Sequence, residues 1–348
     1  MSTIARLRTG TAHRISIDGG ESYHCDQTDT IARAALRAGL PFPYECNVGQ
    51  CGSCRFELLE GEIENLWDAA PALNDRDRRK GRKLGCQARP LSDCVIKVRT
   101  DPDCVPRYQP ARRDVELIAT RDVTHDIREF CFRGTGPAHF LPGQYALMDL
   151  DQVAGTRAYS MCNTSNDAGE WRFLIKRVPG GQGTKVLFDE LAVGSTISID
   201  VPFGMAYLRE DVDRDIVCIA GGSGLSPLIS ITRAASAASA LTGRRISFFF
   251  GGRGPADICG EEFLRLFPGF GDRITYQAAI SVPELDAHDT WVGFVGFIHE
   301  FVEQSLGDDL TEREFYLAGP PPMLQATLQL LITKHGVPVT QVHFDRFF

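Results

Sequence analysis

Four cysteines carry the most specific chemistry in this 348-residue chain: Cys46, Cys51, Cys54 and, thirty-two residues further on, Cys86. The run Cys46-Asn-Val-Gly-Gln-Cys51-Gly-Ser-Cys54 reads C-x4-C-x2-C, which with a distant fourth cysteine is the ligand spacing of a [2Fe–2S] cluster. Two irons must each take two thiolates while a short loop folds around them. Gly49 and Gly52 allow that loop positive φ and let backbone N–H groups approach the sulfurs. Zinc is the alternative for clustered cysteines, but zinc sites usually pair one C-x2-4-C with a second, and Cys86 stands alone. An electron carrier is expected. The other seven cysteines (Cys25, Cys94, Cys104, Cys131, Cys162, Cys218 and Cys259) are scattered singly and are expected to be small buried hydrophobes.

A second group, Arg157-Ala158-Tyr159-Ser160, falls at the end of a predicted strand. A cationic fork, an aromatic ring and a hydroxyl so spaced suit a flavin. Arg157 would clamp the pyrophosphate, Tyr159 would pack on the isoalloxazine, and Ser160 would hydrogen-bond near the ring nitrogen that accepts hydride. On its own the pattern also describes a barrel strand with one exposed arginine. Lys176-Arg177 and the turn Gly181-Gln-Gly183-Thr184 add to the flavin reading, because a helix opening at Gly183 and Thr184 could receive a phosphate.

The third group is Gly221-Gly222-Ser223-Gly224-Leu-Ser-Pro227, after the apolar run Asp215-Ile-Val-Cys-Ile-Ala220. Its glycines allow backbone N–H groups to approach a nucleotide pyrophosphate. Pro227 stands where a full dinucleotide fingerprint has its third glycine, so a plain strand–turn–helix connection is the alternative. A second turn, Ala318-Gly319-Pro320-Pro-Pro-Met323, follows the late strand Phe315–Leu317. Both turns fall at carboxyl ends of predicted parallel strands, where such sheets bind ligands.

The elements that would position these groups divide the chain in three. Residues 1–101 show a strand pair (Ile15–Ile17 and Ser22–Cys25), a helix over Thr28–Gly39, the cysteine loop, and strands at Phe56–Glu60 and Cys94–Val98. Residues 102–112, with Pro102, Pro106 and Pro110, have linker composition. Over 113–211, short alternating strands with turn residues between them predict an antiparallel barrel. Over 212–348, apolar strands alternating with helical stretches predict a doubly wound parallel sheet.

Composition narrows the classes further. A net charge of −8 argues against nucleic acid as a general partner, and nothing reaches the length of a membrane span. Met1–Gly10 lacks the apolar stretch of a secretory signal, so a cytoplasmic protein is expected. The eight histidines show no ligand pairing and suggest neither a Rieske nor a diiron centre.

Taken together, the ordered motifs resemble the reductase components of bacterial multicomponent aromatic oxygenases, those of toluene-type diiron monooxygenases and Rieske ring-hydroxylating dioxygenases. The residues that carry the resemblance are the four cysteines, Arg157–Ser160, Gly221–Gly224 with Pro227, Gly319-Pro320 and the closing His343-Phe-Asp345-Arg-Phe347-Phe348. The resemblance implies a β-grasp plant-type ferredoxin domain, a six-stranded Greek-key flavin barrel and an α/β nucleotide domain. It implies electron flow from NADH to FAD to the cluster and on to an oxygenase or a small Rieske-type ferredoxin, with FAD between Tyr159 and Phe347. FMN is the alternative flavin, but FMN-using relatives tend to carry the ferredoxin domain last. A monomer is expected. A stand-alone NAD(P)H–ferredoxin reductase and a non-enzymatic [2Fe–2S] carrier are the alternative functions.

Three departures bear on this. Ala318 stands where many relatives have a cysteine near the nicotinamide, and Asp345 is one methylene shorter than the family's terminal acid. After the second strand the chain reads Phe250-Gly-Gly-Arg253, with no acid for a ribose 2′-OH; Arg253 alone would favour NADPH, whereas the resemblance favours NADH. Finally, Asp75–Lys83 carries six basic and two acidic residues before Cys86. It reads as a solvated loop, or as a rim that steers an acidic partner.

Overall fold

The computed structural model describes residues 11–282, 291–307 and 309–346 and resolves into two compact units, Met1–Ala111 and Arg112–Phe348. In the first unit, strands β1 (Ala12–Ile17), β2 (Ser22–Asp26), β3 (Arg55–Glu60), β5 (Arg82–Leu84) and β7 (Cys94–Lys97) form one sheet in the order β2-β1-β7-β3-β5. β4 (Ile63–Asn65) and β6 (Ala88–Pro90) make a separate antiparallel pair. Within the main sheet β1 and β7 run parallel and the remaining pairs antiparallel. One helix, Ile31–Arg37, lies nearly wholly buried, and Tyr23 of β2 donates its hydroxyl to the Ile31 carbonyl at 2.9 Å. This mixed sheet with a helix packed on it is the β-grasp arrangement. The expected linker is not loose: Cys104 is buried, the Asp101 amide donates to the Pro41 carbonyl, and Arg37 donates to the Pro110 carbonyl.

The second unit begins with β8 (Ala111–Asp122), β9 (Ile127–Gly134), β10 (Tyr145–Asp149), β11 (Arg157–Ser160), β12 (Glu170–Lys176) and β13 (Thr196–Phe203). They form a sheet in the order β11-β10-β13-β8-β9-β12, and a Met161–Phe173 bridge joins its two edges into a barrel. Alternation along β12 shows why the sequence folds so. Trp171, Phe173 and Ile175 point into the barrel among Phe130, Phe132 and Phe140, while Leu174 points outward. Each large side chain removed from water contributes about 1.5–3 kcal/mol, and Phe140 and Trp171 also stack at 5.4 Å.

The chain then forms a parallel sheet from β14 (Asp215–Gly221), β15 (Ile246–Gly252), β16 (Ile274–Ile280), β17 (Phe294–Val295), β18 (Arg313–Gly319) and β19 (Val342–Arg346). The order is β17-β16-β15-β14-β18-β19, with every pair parallel. Strand order reverses at β14, so the crevice a ligand would use opens beyond the carboxyl ends of β14 and β18. Val217, Ile219 and Phe249 face one side of this sheet, and Ile216, Cys218 and Phe250 the other. That two-sided burial explains the continuous apolar runs of these strands.

Candidate functional site

The cysteine loop sits between the helix Ile31–Arg37 and β3. Its backbone takes positive φ at Asn47 (53°), Gly49 (83°) and Gly52 (85°). A Cβ on Gly52 would press on the Arg55 guanidinium, and one on Gly49 would meet the Trp67 ring at 3.0 Å and Gln87 at 3.2 Å. The thiols fall into two pairs. The Cys51 amide donates to Cys46 Sγ at 3.3 Å, and Cys54 Sγ lies 3.4 Å from Cys86 Sγ. A hydrogen bond from Cys46, with others from Ser53, overcomes burial and draws the Cys51 thiol down to about 5. Cys86 is also lowered, first by Cys54 and then by the charge of Arg33, with Gln87 reaching its sulfur at 3.7 Å. Four converging thiols, with donors and a cation around them, fit a [2Fe–2S] cluster.

Sequence reasoning missed the groups that hold this loop. Arg33, only 9% exposed, donates to the Asn47 carbonyl at 3.0 Å. Arg55 donates to the Ala72 carbonyl at 2.9 Å and faces Asp77 at 3.3 Å. Asp77, 3% exposed, also pairs with Arg82 at 2.9 Å. The signal was present for Arg33, a cation flanked by Ile31, Ala32, Ala34 and Ala35 inside the apolar part of a helix whose other cation, Arg37, closes its last turn.

The basic run is correspondingly not a plain solvated loop. Asp75–Arg79 is a helical turn capped by the Asn74 side chain, and Arg78 donates to the carbonyls of Leu73, Asp68 and Ala70. Arg78 therefore secures the segment beside the cysteine loop.

On the barrel, Arg157 and Tyr159 converge. A Cβ on Gly183 would lie 3.1 Å from Arg157 Cγ and 3.3 Å from the Tyr159 hydroxyl. Their side chains thus frame the start of the helix Gln182–Lys185, and the small residue there keeps a cradle open. Ala158 lies between them on β11, paired with Leu147. Burial pushes the Tyr159 phenol up to about 12, so it stays neutral. Thr184 serves the turn itself, accepting the Val178 amide at 3.1 Å and donating to the Gly181 carbonyl. Ser160 is buried at the end of β11, and its hydroxyl has no hydrogen-bond partner among the described residues. Arg177 is turned to Asp189 (2.6 Å) and the Phe188 ring.

In the nucleotide lobe the two glycine turns touch. A Cβ on Gly224 would overlap the Ala318 carbonyl, and one on Gly319 would meet the Gly221 backbone at 3.1 Å. Pro320 and Met323 pack against Gly221, and Ser223 sits between Gly222 and Gly224 at the entry to the helix Leu225–Ala237, with Pro227 in its first turn. Ala318 therefore contributes its backbone to the floor of the turn. Asp345 on β19 pairs in register with Ala318, which brings it to the same crevice. Phe347 lies outside the described residues.

Lys176 adjoins Gly222, its Cδ 3.4 Å from where a Cβ would stand, and its ammonium pairs with Asp126 (3.0 Å) and Asp257 (3.7 Å). His125 completes this cluster, 3.5 Å from Asp126 and 3.8 Å from Asp257, so it is less isolated than its sequence context suggests. Asp257, 8% exposed, accepts the amides of Arg253 (2.9 Å) and Gly254. An acid thus stands beside Arg253, four positions further along the chain, where it accepts the amides of the turn.

A ferredoxin-type thiol loop, a barrel cradle framed by Arg157 and Tyr159 and a nucleotide crevice on one chain define an iron–sulfur flavoprotein oxidoreductase. Comparison with known proteins agrees. Residues 15–91 match the 2Fe-2S iron-sulfur cluster binding domain, 114–207 the oxidoreductase FAD-binding domain, and 218–329 the oxidoreductase NAD-binding domain. The chain is 40% identical to the ferredoxin–NAD(P)(+) reductase CarAd of Metapseudomonas resinovorans, over 97% of its own length and all of the relative's. It is 38% identical to the ferredoxin–NAD(+) reductase component of the alkene monooxygenase system of Xanthobacter autotrophicus, over 95% and 99% of the two chains. The solved ferredoxin reductase in carbazole 1,9a-dioxygenase superposes with a TM-score of 0.89 at 36% identity, covering 97% of this chain and 99% of that one. The chain belongs to the family of fused ferredoxin–NAD(P)(+) reductases. No helix among the described residues is long and apolar enough to cross a membrane.

Proposed function

We propose that this chain is the cytoplasmic electron-transfer component of an aromatic-compound oxygenase system, using NADH and delivering electrons to the oxygenase or to a small Rieske-type ferredoxin. The observation that carries the reading is the presence of three fitted sites on one chain whose relatives serve monooxygenase and dioxygenase systems. When bound, FAD takes hydride from NADH and releases electrons singly to the cluster. In this reading Cys46 and Cys51 hold one iron, and Cys54 and Cys86 the other. Arg157 clamps the flavin pyrophosphate at the helix start beside Gly183, and Tyr159 packs on the flavin ring. The Ser160 hydroxyl and Asp345 face the hydride-transfer region, and the family resemblance assigns Phe347 to the same step. Gly221–Gly224, Gly319 and Pro320 receive the nicotinamide nucleotide, and Lys176 stands at its edge. NADH is favoured over NADPH because the Asp257 carboxylate lies 3.9 Å from Arg253 Nε, where a 2′-phosphate would meet it. We assign 1–101, 113–211 and 212–348 as the three domains.

The test is anaerobic mixing of the NADH-reduced protein with a purified Rieske-type ferredoxin or diiron hydroxylase component. Rapid single-electron reduction of either acceptor supports the reading. Reduction of small dyes alone, with both protein acceptors untouched, contradicts it.

A further inference from the structure

Ser226 and Ser230 stand one helical turn apart on Leu225–Ala237, the helix that begins directly after Gly224. They are 1% and 0% exposed, and the nucleotide reading gives them no role. Both hydroxyls reach out of the nucleotide lobe to the flavin barrel. Ser226 Oγ donates to the Ser160 carbonyl at 2.6 Å and accepts the Leu174 amide at 3.1 Å. Ser230 Oγ donates to the Asn163 carbonyl at 2.6 Å.

Those partners flank the seam at which the barrel closes. The seam consists of the Met161–Phe173 bridge and the hydrogen bond from the Cys162 amide to the Arg172 carbonyl, 2.8 Å long. Asn163 is fixed in turn: its side chain donates to the Glu170 carbonyl at 2.8 Å and accepts the Arg172 amide at 3.1 Å. Apolar packing clamps the same place, because Cys162 and Leu174 belong to the cluster that contains Ile216, Leu225 and Leu228. Buried backbone donors and acceptors need partners, and here a helix of another lobe supplies them. Within an apolar helix face alanine would fill the same space, so what serine adds is the bond to the barrel.

We propose that Ser226, supported by Ser230, is a positioning residue for hydride transfer, fixing the Arg157–Ser160 strand relative to the Gly221–Gly224 turn. This rests on the reading that Ser160 faces the flavin and the glycine turn holds the nicotinamide nucleotide. The two reactants are then held by different lobes, yet the reacting atoms must meet at about 3–3.5 Å, and a 1 Å slip costs on the order of 10²-fold in rate. From Gly222 to the Ser160 carbonyl the mechanical path is one helical turn and one short hydrogen bond.

The experiment compares the full-length protein with S226A, S226T and S230A. Anaerobic stopped-flow follows flavin bleaching at saturating NADH and with 4-deuterated NADH, alongside FAD content and thermal melting. The expected result for S226A is a limiting reduction rate lowered about tenfold or more, with an altered isotope effect and with FAD content and nucleotide affinity nearly unchanged. S226T, which keeps the hydroxyl, recovers most of the rate, and S230A shows a smaller loss. Should S226A fail to accumulate, the S230A loss and its isotope effect carry the test. A wild-type rate in S226A, a loss that only tracks missing FAD, or S226T as slow as S226A would overturn the proposal. Wild-type flavin that NADH cannot reduce would instead overturn the reading on which it rests.

Discussion

Cys54 Sγ stands 3.4 Å from Cys86 Sγ although thirty-two residues separate them. The approach is made by pairing β3 with β5, where Arg55 faces Leu84, and by the Gly85 amide donating to the Cys54 carbonyl at 2.8 Å. Cys86 is thus delivered to the loop by sheet register, and its distance in sequence is immaterial. Replacing either thiol, as C54S or C86S, is expected to abolish the visible absorption and EPR signal of the cluster while flavin content stays near one per chain. Absorption spectra of the purified variants check this.

The Asp77 carboxyl gives the first unit a defined acid sensitivity. Burial alone would raise its pKa, but the Arg82 hydrogen bond and the charges of Arg55 and Arg82 outweigh burial and hold it below the ordinary value. A folded-state pKa below the unfolded one stabilises fully above about pH 4 and fades as pH falls through the folded value. D77N is therefore expected to be less stable at pH 6 and to lose less stability than the wild type between pH 6 and 3. Urea unfolding followed by circular dichroism across that range measures both slopes.

Arg78 and Arg79 are adjacent in sequence and should behave differently. Arg78 holds three backbone carbonyls, while Arg79 is exposed with no ion pair among the described residues. R78A is expected to cost roughly 1–2 kcal/mol of stability in the first unit, at 0.5–1.5 kcal/mol for a net hydrogen bond. R79A should change stability by no more than about 0.5 kcal/mol, as surface substitutions do. Differential melting of the cluster absorbance separates the two.

Gly183 has a close-approach role that a methyl group would disturb. Alanine there would crowd Arg157 at 3.1 Å and Tyr159 at 3.3 Å. G183A is expected to lower FAD affinity several-fold. R157M, which removes a charge-assisted contact of about 1.5–3 kcal/mol, is expected to lower it roughly 10- to 100-fold. Flavin retention during dialysis and titration of the apoprotein give the values, and the cluster spectrum should remain unchanged in both variants.

What the sequence revealed depended on how local the cause was. The C-x4-C-x2-C loop and the run Ile216–Ala220 were legible because glycine spacing and two-sided burial leave local marks. The strands Arg82–Leu84 and Ala88–Pro90 on either side of Cys86 were not, since three residues of mixed polarity carry no periodicity and are held by partners distant in the chain. Val342–Arg346 read as a closing motif; it is a strand because β18 offers it an edge, and because the buried Glu314 takes His343 Nε2 at 2.7 Å. Asp257 was missed by looking for an acid in the residues just after β15, when a short helical turn, Pro255–Asp257, folds it back onto Arg253. Ser226 lay in plain view inside the glycine turn motif, but its partners at Ser160 and Leu174 belong to another lobe.

The central claim, that one chain carries electrons from NADH through a flavin to its own cluster, is tested most directly by anaerobic NADH titration of the purified protein with optical and EPR detection. The account predicts that the flavin band bleaches and that a [2Fe–2S] EPR signal grows with it. A bleached flavin with an EPR-silent cluster that dithionite still reduces would contradict the account, as would a flavin that NADH leaves oxidised.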